Sequence, residues 1–158
     1  MSGTTGRGLF RDYPDLAYTG FMLESSRITP PILAALPDTQ AIYLFGSAAS
    51  GALRPDSDVD IAVLLPAALA RRVGSLSGSD LRLALESRLS RDVDLINFRQ
   101  APTVFQNQII VDGRRIHCAD EGAADEFEMH VLSLYQKLQA ERAGVVADGL
   151  SSGRFLGP

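Results

Sequence analysis

Two neighbouring stretches decide the fold of this chain, Phe45-Gly46-Ser47-Ala48-Ala49-Ser50-Gly51 and Arg54-Pro55-Asp56-Ser57-Asp58-Val59-Asp60-Ile61-Ala62-Val63. The first begins where an unbroken apolar run, residues 41–45, meets a glycine, which is typical of the end of a strand buried on both faces. The second alternates acidic and apolar residues, which is typical of a half-buried strand with one acidic face. The pattern therefore predicts two strands joined by a turn rich in glycine and serine.

The glycine–serine turn is a candidate phosphate site. Gly46 has no side chain, so a ligand can approach the backbone closely at this position. Ser47 follows at the predicted start of a helix, where free backbone amides and a hydroxyl can hold a phosphate. We therefore predict that Gly46 and Ser47 bind the phosphates of a nucleotide.

Three carboxylates are candidate metal ligands. Asp58 and Asp60 share one face of a strand, about 6.6 Å apart at their Cα atoms, and Asp94 lies on a later strand. Mg²⁺ is often held by one or two carboxylates together with phosphate oxygens. Three carboxylates beside a phosphate-holding turn suit a two-metal nucleotidyl transfer, in which the metals activate a hydroxyl and neutralise the leaving pyrophosphate. In this scheme Asp58 and Asp60 hold the ions, and Asp94 completes the nucleophile side and accepts the proton.

Each of these residues also has an ordinary structural interpretation. An Asp-x-Asp pair alone is usually a solvated strand start, and residues 54–58 form a good turn. The functional interpretation is favoured because the glycine–serine turn, its spacing to the acidic pair and the later aspartate occur together. Asp92 competes with Asp94 because both point to the same strand face. We prefer Asp94, because apolar residues follow it as they follow Asp60.

The rest of the chain predicts an α/β (α+β) fold with a small mixed sheet flanked by helices and a C-terminal helix. Ser25 and Ser26 can cap a short helix that has Pro30 and Pro31 in its first turn. Apolar periodicity predicts the remaining helices and strands at residues 81–89, 93–96, 104–111, 114–118 and 123–142.

The predicted domain organisation is simple. Residues 1–23 show neither helical nor strand periodicity and predict a flexible extension. Residues 24–142 form one domain, a size that one hydrophobic core can support. Residues 143–158 turn to Gly, Ser and Asp and predict a loose tail.

The composition excludes several classes of function. The net charge of −4 and the pI near 5.1 argue against direct nucleic-acid binding and against an acidic membrane surface. Lys137 is the only lysine and follows no glycine loop, which excludes a P-loop and a Schiff-base enzyme. A single cysteine, Cys118, allows no internal disulfide and favours a cytoplasmic setting. The longest apolar stretch, residues 61–70, is too short to span a membrane.

Gly46-Ser47, ten intervening residues and then Asp58-Val59-Asp60 resemble the signature of the polymerase-β-like nucleotidyltransferase superfamily. The run Ser57-Asp58-Val59-Asp60-Ile61-Ala62-Val63 and the short chain look like its minimal nucleotidyltransferases (MNT), and most like the MntA-type antitoxins. Asp94-Leu95-Ile96 fits the third carboxylate of that group. The resemblance covers about residues 28–140 and is most specific in its first motif.

The resemblance implies a function. It implies an enzyme with two Mg²⁺ ions that moves AMP from ATP to a tyrosine of a partner, a HEPN-domain RNase toxin, and so silences it. One departure is Ser50, where many relatives have an arginine that could hold phosphate or the loop. Two alternatives therefore stay open: an antitoxin that acts by binding alone, and a nucleotidyltransferase that acts on a small molecule.

Overall fold

The computed structural model describes residues 15–50 and 57–152. In chain order its elements are α1 (Asp15–Ala35), β1 (Ala41–Phe45), α2 (Ser47–Ser50), β2 (Val59–Leu64), α3 (Ala67–Val73), α4 (Asp80–Leu89), β3 (Val93–Asn97), a 3-10 turn (Phe98–Gln100), α5 (Thr103–Asp112), β4 (Arg114–Cys118) and α6 (Glu121–Ser152). No helix within these ranges is long and apolar enough to cross a membrane.

The four strands form a mixed sheet in the order β3-β2-β1-β4. β1 is antiparallel to both β2 and β4, whereas β2 is parallel to β3. The predicted small mixed sheet flanked by helices is therefore confirmed. The prediction that β2 is half-buried is wrong, because Ala62 and Leu64 are as fully buried as the apolar residues on the opposite face.

Helices cover both faces of the sheet, which explains why β1 and β2 are apolar on both sides. On one face α1, α3 and α4 pack over Ile42, Leu44, Ile61 and Val63. On the other face α5, α6 and the 3-10 turn pack over Tyr43, Ala62 and Leu64. The sheet is thus the middle layer of three, and polar groups can face a ligand only where its strands begin or end.

Three parts of the structure differ from the predictions. α1 already begins at Asp15 and runs through Pro30 and Pro31, so the predicted flexible extension does not hold for residues 15–23. Each proline lacks a backbone N–H, but Ile28 and Ile32 are completely buried, and their packing offsets the lost hydrogen bonds. α6 continues to Ser152, so the predicted loose tail is wrong over residues 143–152. α3 was not predicted from the sequence. The rest of the predicted extension, residues 1–14, and of the predicted tail, residues 153–158, lies outside the described part of the chain.

A polar cluster attaches α6 to the sheet. The Tyr43 hydroxyl donates to the Glu128 carboxylate at 2.7 Å, and Arg115 donates to Glu128 and, at 3.0 Å, to Asp125. The Arg115 guanidinium also lies 5.7 Å from the centre of the Tyr43 ring. Burial, and then the hydrogen bond to Glu128, raise the pKa of Tyr43, so its hydroxyl stays a donor.

Candidate active site

The candidate site lies at one end of the sheet, where β1 ends and β2 and β3 begin. In the register Phe45 pairs with Asp60, and Asp60 pairs with Asp94. Asp58 precedes Asp60 by two residues and therefore shares its side of the sheet. The end of β1 and the starts of β2 and β3 therefore lie side by side, because β2 is antiparallel to β1 and parallel to β3.

Gly46 is needed at the end of β1 for two physical reasons. Its φ of +65° lies in the left-handed region that side chains with a Cβ rarely adopt. A Cβ built on Gly46 would also collide with Oδ2 of Asp60. The glycine therefore lets the chain turn tightly directly beside the central carboxylate.

The carboxylates repel one another. Burial, and then the negative charges of Asp94 and Asp58, together raise the pKa of Asp60 from its ordinary value of 3.8 to about 6. None of the three forms a salt bridge with any residue of the described ranges. A cation between them would remove this repulsion, so their chemistry fits a hard divalent ion such as Mg²⁺.

The carboxylates do not by themselves form a closed metal cage. Within the described ranges no group of three His, Cys, Asp or Glu side chains converges closely enough to hold a metal ion alone. This arrangement still fits Mg²⁺, which usually keeps some waters and takes further oxygens from substrate phosphates. The residues therefore suit an ion that arrives with a nucleotide.

The register distinguishes the two candidate aspartates of β3. Asp94 lies directly opposite Asp60, and its charge contributes to the raised pKa of that residue. Asp92 precedes the strand, and its backbone carbonyl accepts a hydrogen bond from the Val59 N–H at 2.9 Å. The backbone of Asp92 thus aligns β2 with β3, and the structure groups the carboxylate of Asp94 with those of Asp58 and Asp60.

The turn after Gly46 is held by α2 and by Arg114, which no pattern in the sequence assigns to the site. Ser47 is the first residue of the single-turn helix α2, and its carbonyl accepts from the Ser50 hydroxyl at 3.2 Å. Arg114 donates from Nε to the carbonyl of Ala49 at 2.5 Å. Arg114 begins β4, beside β1, so only the tertiary structure brings it to this turn. Residues 51–56, which complete the motif, lie outside the described part of the chain.

A cavity of about 590 Å³ opens beside the carboxylates. It extends from Gly46 and Asp60 along α5, and its other described lining residues are Phe45, Ser50, Phe105, Gln108, Ile109 and Asp112. The sequence pattern predicts α5 as a helix but not as a wall of the site. A helical pattern shows which residues are apolar, whereas the approach of α5 to the end of β1 depends on packing.

A mixed four-stranded sheet with a glycine–serine turn beside aspartates on two adjacent strands defines a nucleotidyltransferase. In agreement, the family model "Polymerase beta, Nucleotidyltransferase" matches residues 30–122, which include all the site residues described above. The chain therefore belongs to the polymerase beta nucleotidyltransferase family. The resemblance predicted from the sequence is confirmed.

The chain is similar to well-defined members of this family. It is 34% identical over 131 residues to protein adenylyltransferase MntA of Shewanella oneidensis, covering 82% of this chain and 90% of that protein. A crystal structure of a toxin–antitoxin with AMP-PNP matches it with a TM-score of 0.65 and 32% identity, covering 80% of this chain and 98% of the other. A structure of the tri-AMPylated S. oneidensis HEPN toxin in complex with MNT antitoxin also contains a match, with a TM-score of 0.63 and 32% identity, covering 82% of this chain and 98% of the matched chain.

Proposed function

We propose that this protein is an antitoxin that transfers AMP from ATP to a tyrosine of a HEPN-domain toxin. The observation that carries the proposal is that Asp58, Asp60 and Asp94 share one end of the sheet beside the Gly46 turn, close enough for the charges of Asp94 and Asp58 to act on Asp60. The relatives support it, since one is named a protein adenylyltransferase and another is complexed with a tri-AMPylated HEPN toxin. The AMP-PNP complex of a relative supports ATP as the nucleotide substrate. The cytoplasm is the proposed location, because the single cysteine suits a reducing compartment.

The reaction is a displacement at the α-phosphorus of ATP. The tyrosine oxygen forms a bond to this phosphorus, the bond to the bridging oxygen of the β-phosphate breaks, and pyrophosphate leaves. The proton of the tyrosine hydroxyl passes to the Asp94 carboxylate and then to solvent. Because the reaction is an in-line transfer, the chief task of the protein is to position the two substrates and balance their charge.

The residues of the site divide this task. The backbone at Gly46 and the Ser47 hydroxyl hold the β- and γ-phosphates of ATP. Asp58 and Asp60 would hold two Mg²⁺ ions, with Asp94 completing the ligand set on the nucleophile side. When bound, the ions neutralise the triphosphate and lower the pKa of the attacking hydroxyl. Arg114 keeps the turn in place through the Ala49 carbonyl.

Intact-mass spectrometry tests the proposal. The purified chain is incubated with ATP, Mg²⁺ and the protein encoded beside it, and the mass of the partner is measured. We expect the partner to gain one or more AMP units, and the double variant Asp58→Asn/Asp60→Asn to abolish the gain. Asp92→Asn is the matched control, because the charge of Asp92 is not among those that raise the pKa of Asp60 and its contact with Val59 is made by the backbone. Undiminished transfer by the double variant would refute the proposed roles.

A binding antitoxin is the second candidate, and Ser50 is the observation that favours it. A serine hydroxyl is uncharged, and that of Ser50 donates to the Ser47 carbonyl, so Ser50 does not supply the positive charge that an arginine would bring to the turn. A pure binder would form a stable complex and neutralise the toxin without any mass gain. The double variant would then neutralise as well as the wild type, whereas an enzyme would lose neutralisation with complex formation intact.

A further inference from the structure

The cavity beside Asp60 has room for more than the triphosphate. Its volume of about 590 Å³ lies within the range of about 300–1,000 Å³ that is usual for small-molecule sites. Gly46, Ser50 and Asp60 line the end at which the phosphates are expected. The remainder lies against α5, and no step of the proposed reaction uses it.

This remaining part has an aromatic wall. The rings of Phe45 and Phe105 meet edge to face, with their centres 5.6 Å apart and their planes at 80°. Both side chains line the cavity and are only partly buried, so each leaves ring surface open. Open aromatic faces of this kind bind nucleobases by stacking.

The part of the cavity against α5 also has polar lining residues, Gln108 and Asp112. Gln108 is exposed, and within residues 15–50 and 57–152 nothing forms a hydrogen bond with its amide. Gln106, two residues earlier, is buried and donates to the Phe98 carbonyl at 2.9 Å, so its role is structural. A glutamine amide offers a donor and an acceptor side by side. Asp112 lies one helical turn beyond Gln108 and adds a carboxylate to the same lining.

We propose that this cavity holds the base of the nucleotide and that Gln108 selects adenine. The proposal rests on the proposed function, because it extends the same site from the phosphates to the base. Adenine presents the N7 acceptor beside the N6 amino group, and a glutamine amide can bind this edge with two hydrogen bonds. The Asp112 carboxylate can accept from the same amino group. Guanine presents two acceptors, N7 and O6, on the same edge, so in either orientation the amide can bind only one of them and its own oxygen faces the other.

The position of Asp94 argues against the tyrosine acceptor as the occupant of this cavity. Asp94 lies on β3, on one side of Asp60, whereas the cavity lies on the other side, between β1 and α5. Asp94 is not among the described residues that line the cavity. The nucleophile is therefore expected at the β3 side, and the base at the α5 side.

Binding measured without any transfer tests the proposal. The ligands are α,β-methylene triphosphates of adenosine and guanosine, which cannot donate a nucleotidyl group, and their dissociation constants are measured by calorimetry with Mg²⁺. We expect the wild-type protein to bind the adenosine analogue more tightly than the guanosine analogue. In Gln108→Ala the ratio of the two dissociation constants should fall about tenfold. Asn107→Ala is the matched control on α5, since Asn107 is not among the described lining residues. Phe105→Leu should weaken both analogues alike, because stacking does not depend on the base.

Two outcomes would overturn the proposal. The first is an unchanged preference in Gln108→Ala, or no preference in the wild type. The second is a Gln108→Ala variant that binds both analogues normally but shows a raised KM for the toxin, which would place the acceptor in the cavity. Neither outcome affects the mass-spectrometric test of AMP transfer, so a failure here is distinguishable from a failure of the proposed function.

Discussion

Two clusters of charged side chains lie on the same sheet and differ in how their charges are balanced. At the start of β2 and β3, Asp58, Asp60 and Asp94 lie together without a salt bridge to any described residue. Between β4 and α6, Arg115 contacts two carboxylates, and the Tyr43 hydroxyl donates to one of them. The first cluster holds charges of one sign, whereas the second pairs opposite charges.

The difference separates a functional cluster from a structural one. Like charges that are partly buried destabilise the fold, and they persist where a ligand relieves them. Opposite charges with satisfied hydrogen bonds fix the geometry of the groups that carry them. We therefore expect changes in the aspartate cluster to affect activity most, and changes in the Arg115 cluster to affect stability alone.

The largest expected effect follows Asp60→Asn. Asp60→Asn removes a proposed ligand of the ions that would neutralise the triphosphate, so transfer should fall on the order of 10³-fold. The same change should stabilise the fold by about 1–2 kcal/mol at pH 7.5, because the Asp60 pKa of about 6 is raised and its partial exposure screens part of the effect. Chemical denaturation beside the transfer assay checks both, and a variant less stable than wild type would contradict the repulsion.

Gly46→Ala should have the next largest effect. The added methyl group meets both an unfavourable φ and the Asp60 carboxylate, so we expect about a 10²-fold loss of transfer and a less stable fold. Gly74→Ala is the matched control, because Gly74 has the same φ of +65° but nothing within 4 Å of the added Cβ. Equal losses of stability in the two variants would show that φ alone matters.

Glu128→Gln sharpens the comparison from the structural side. It leaves Arg115 with a weaker partner and Tyr43 without a charged acceptor, so stability should fall by about 1–3 kcal/mol. The kcat of the folded variant should stay close to that of the wild type. Arg82→Met is the comparison variant, since the Arg82–Glu86 pair lies within one helix and should contribute less than about 1 kcal/mol. A large fall in kcat for Glu128→Gln would contradict the division into two roles.

The smallest expected effect is on metal binding as the pH falls. Asp60 has a raised pKa of about 6, so lowering the pH from 7.5 to 5 protonates it and removes a ligand charge. Affinity for Mg²⁺ and nucleotide together should therefore fall about tenfold. Protonation relieves the repulsion, so this site should favour folding more at pH 5 than at pH 7.5. Calorimetric titrations at the two pH values check the affinity, and Asp60→Asn should flatten the dependence.

Much of this molecule is predictable from local pattern. The runs at 41–45 and 114–118 coincide with β1 and β4, and the predicted helix at 104–111 lies within α5. A strand needs only a short apolar run and a turn residue to be recognised, and Gly46 supplies that turn residue here. The predictions that were wrong concern segments of another kind. The helix through Pro30 and Pro31 and the continuation of α6 to Ser152 contradict local preference, which tertiary packing overrides in α1.

The sequence by itself determined the carboxylate pair Asp58 and Asp60, since a strand places alternate residues on one face wherever it lies. It also determined the glycine beside them. Only the tertiary structure decided that Asp94 rather than Asp92 faces Asp60, because the register of two parallel strands depends on contacts between distant segments. The same holds for Arg114 and Gln108, which reach the site through the packing of β4 and α5. Spacing along a strand is fixed by covalent geometry, whereas spacing between elements is fixed by the packing of the core.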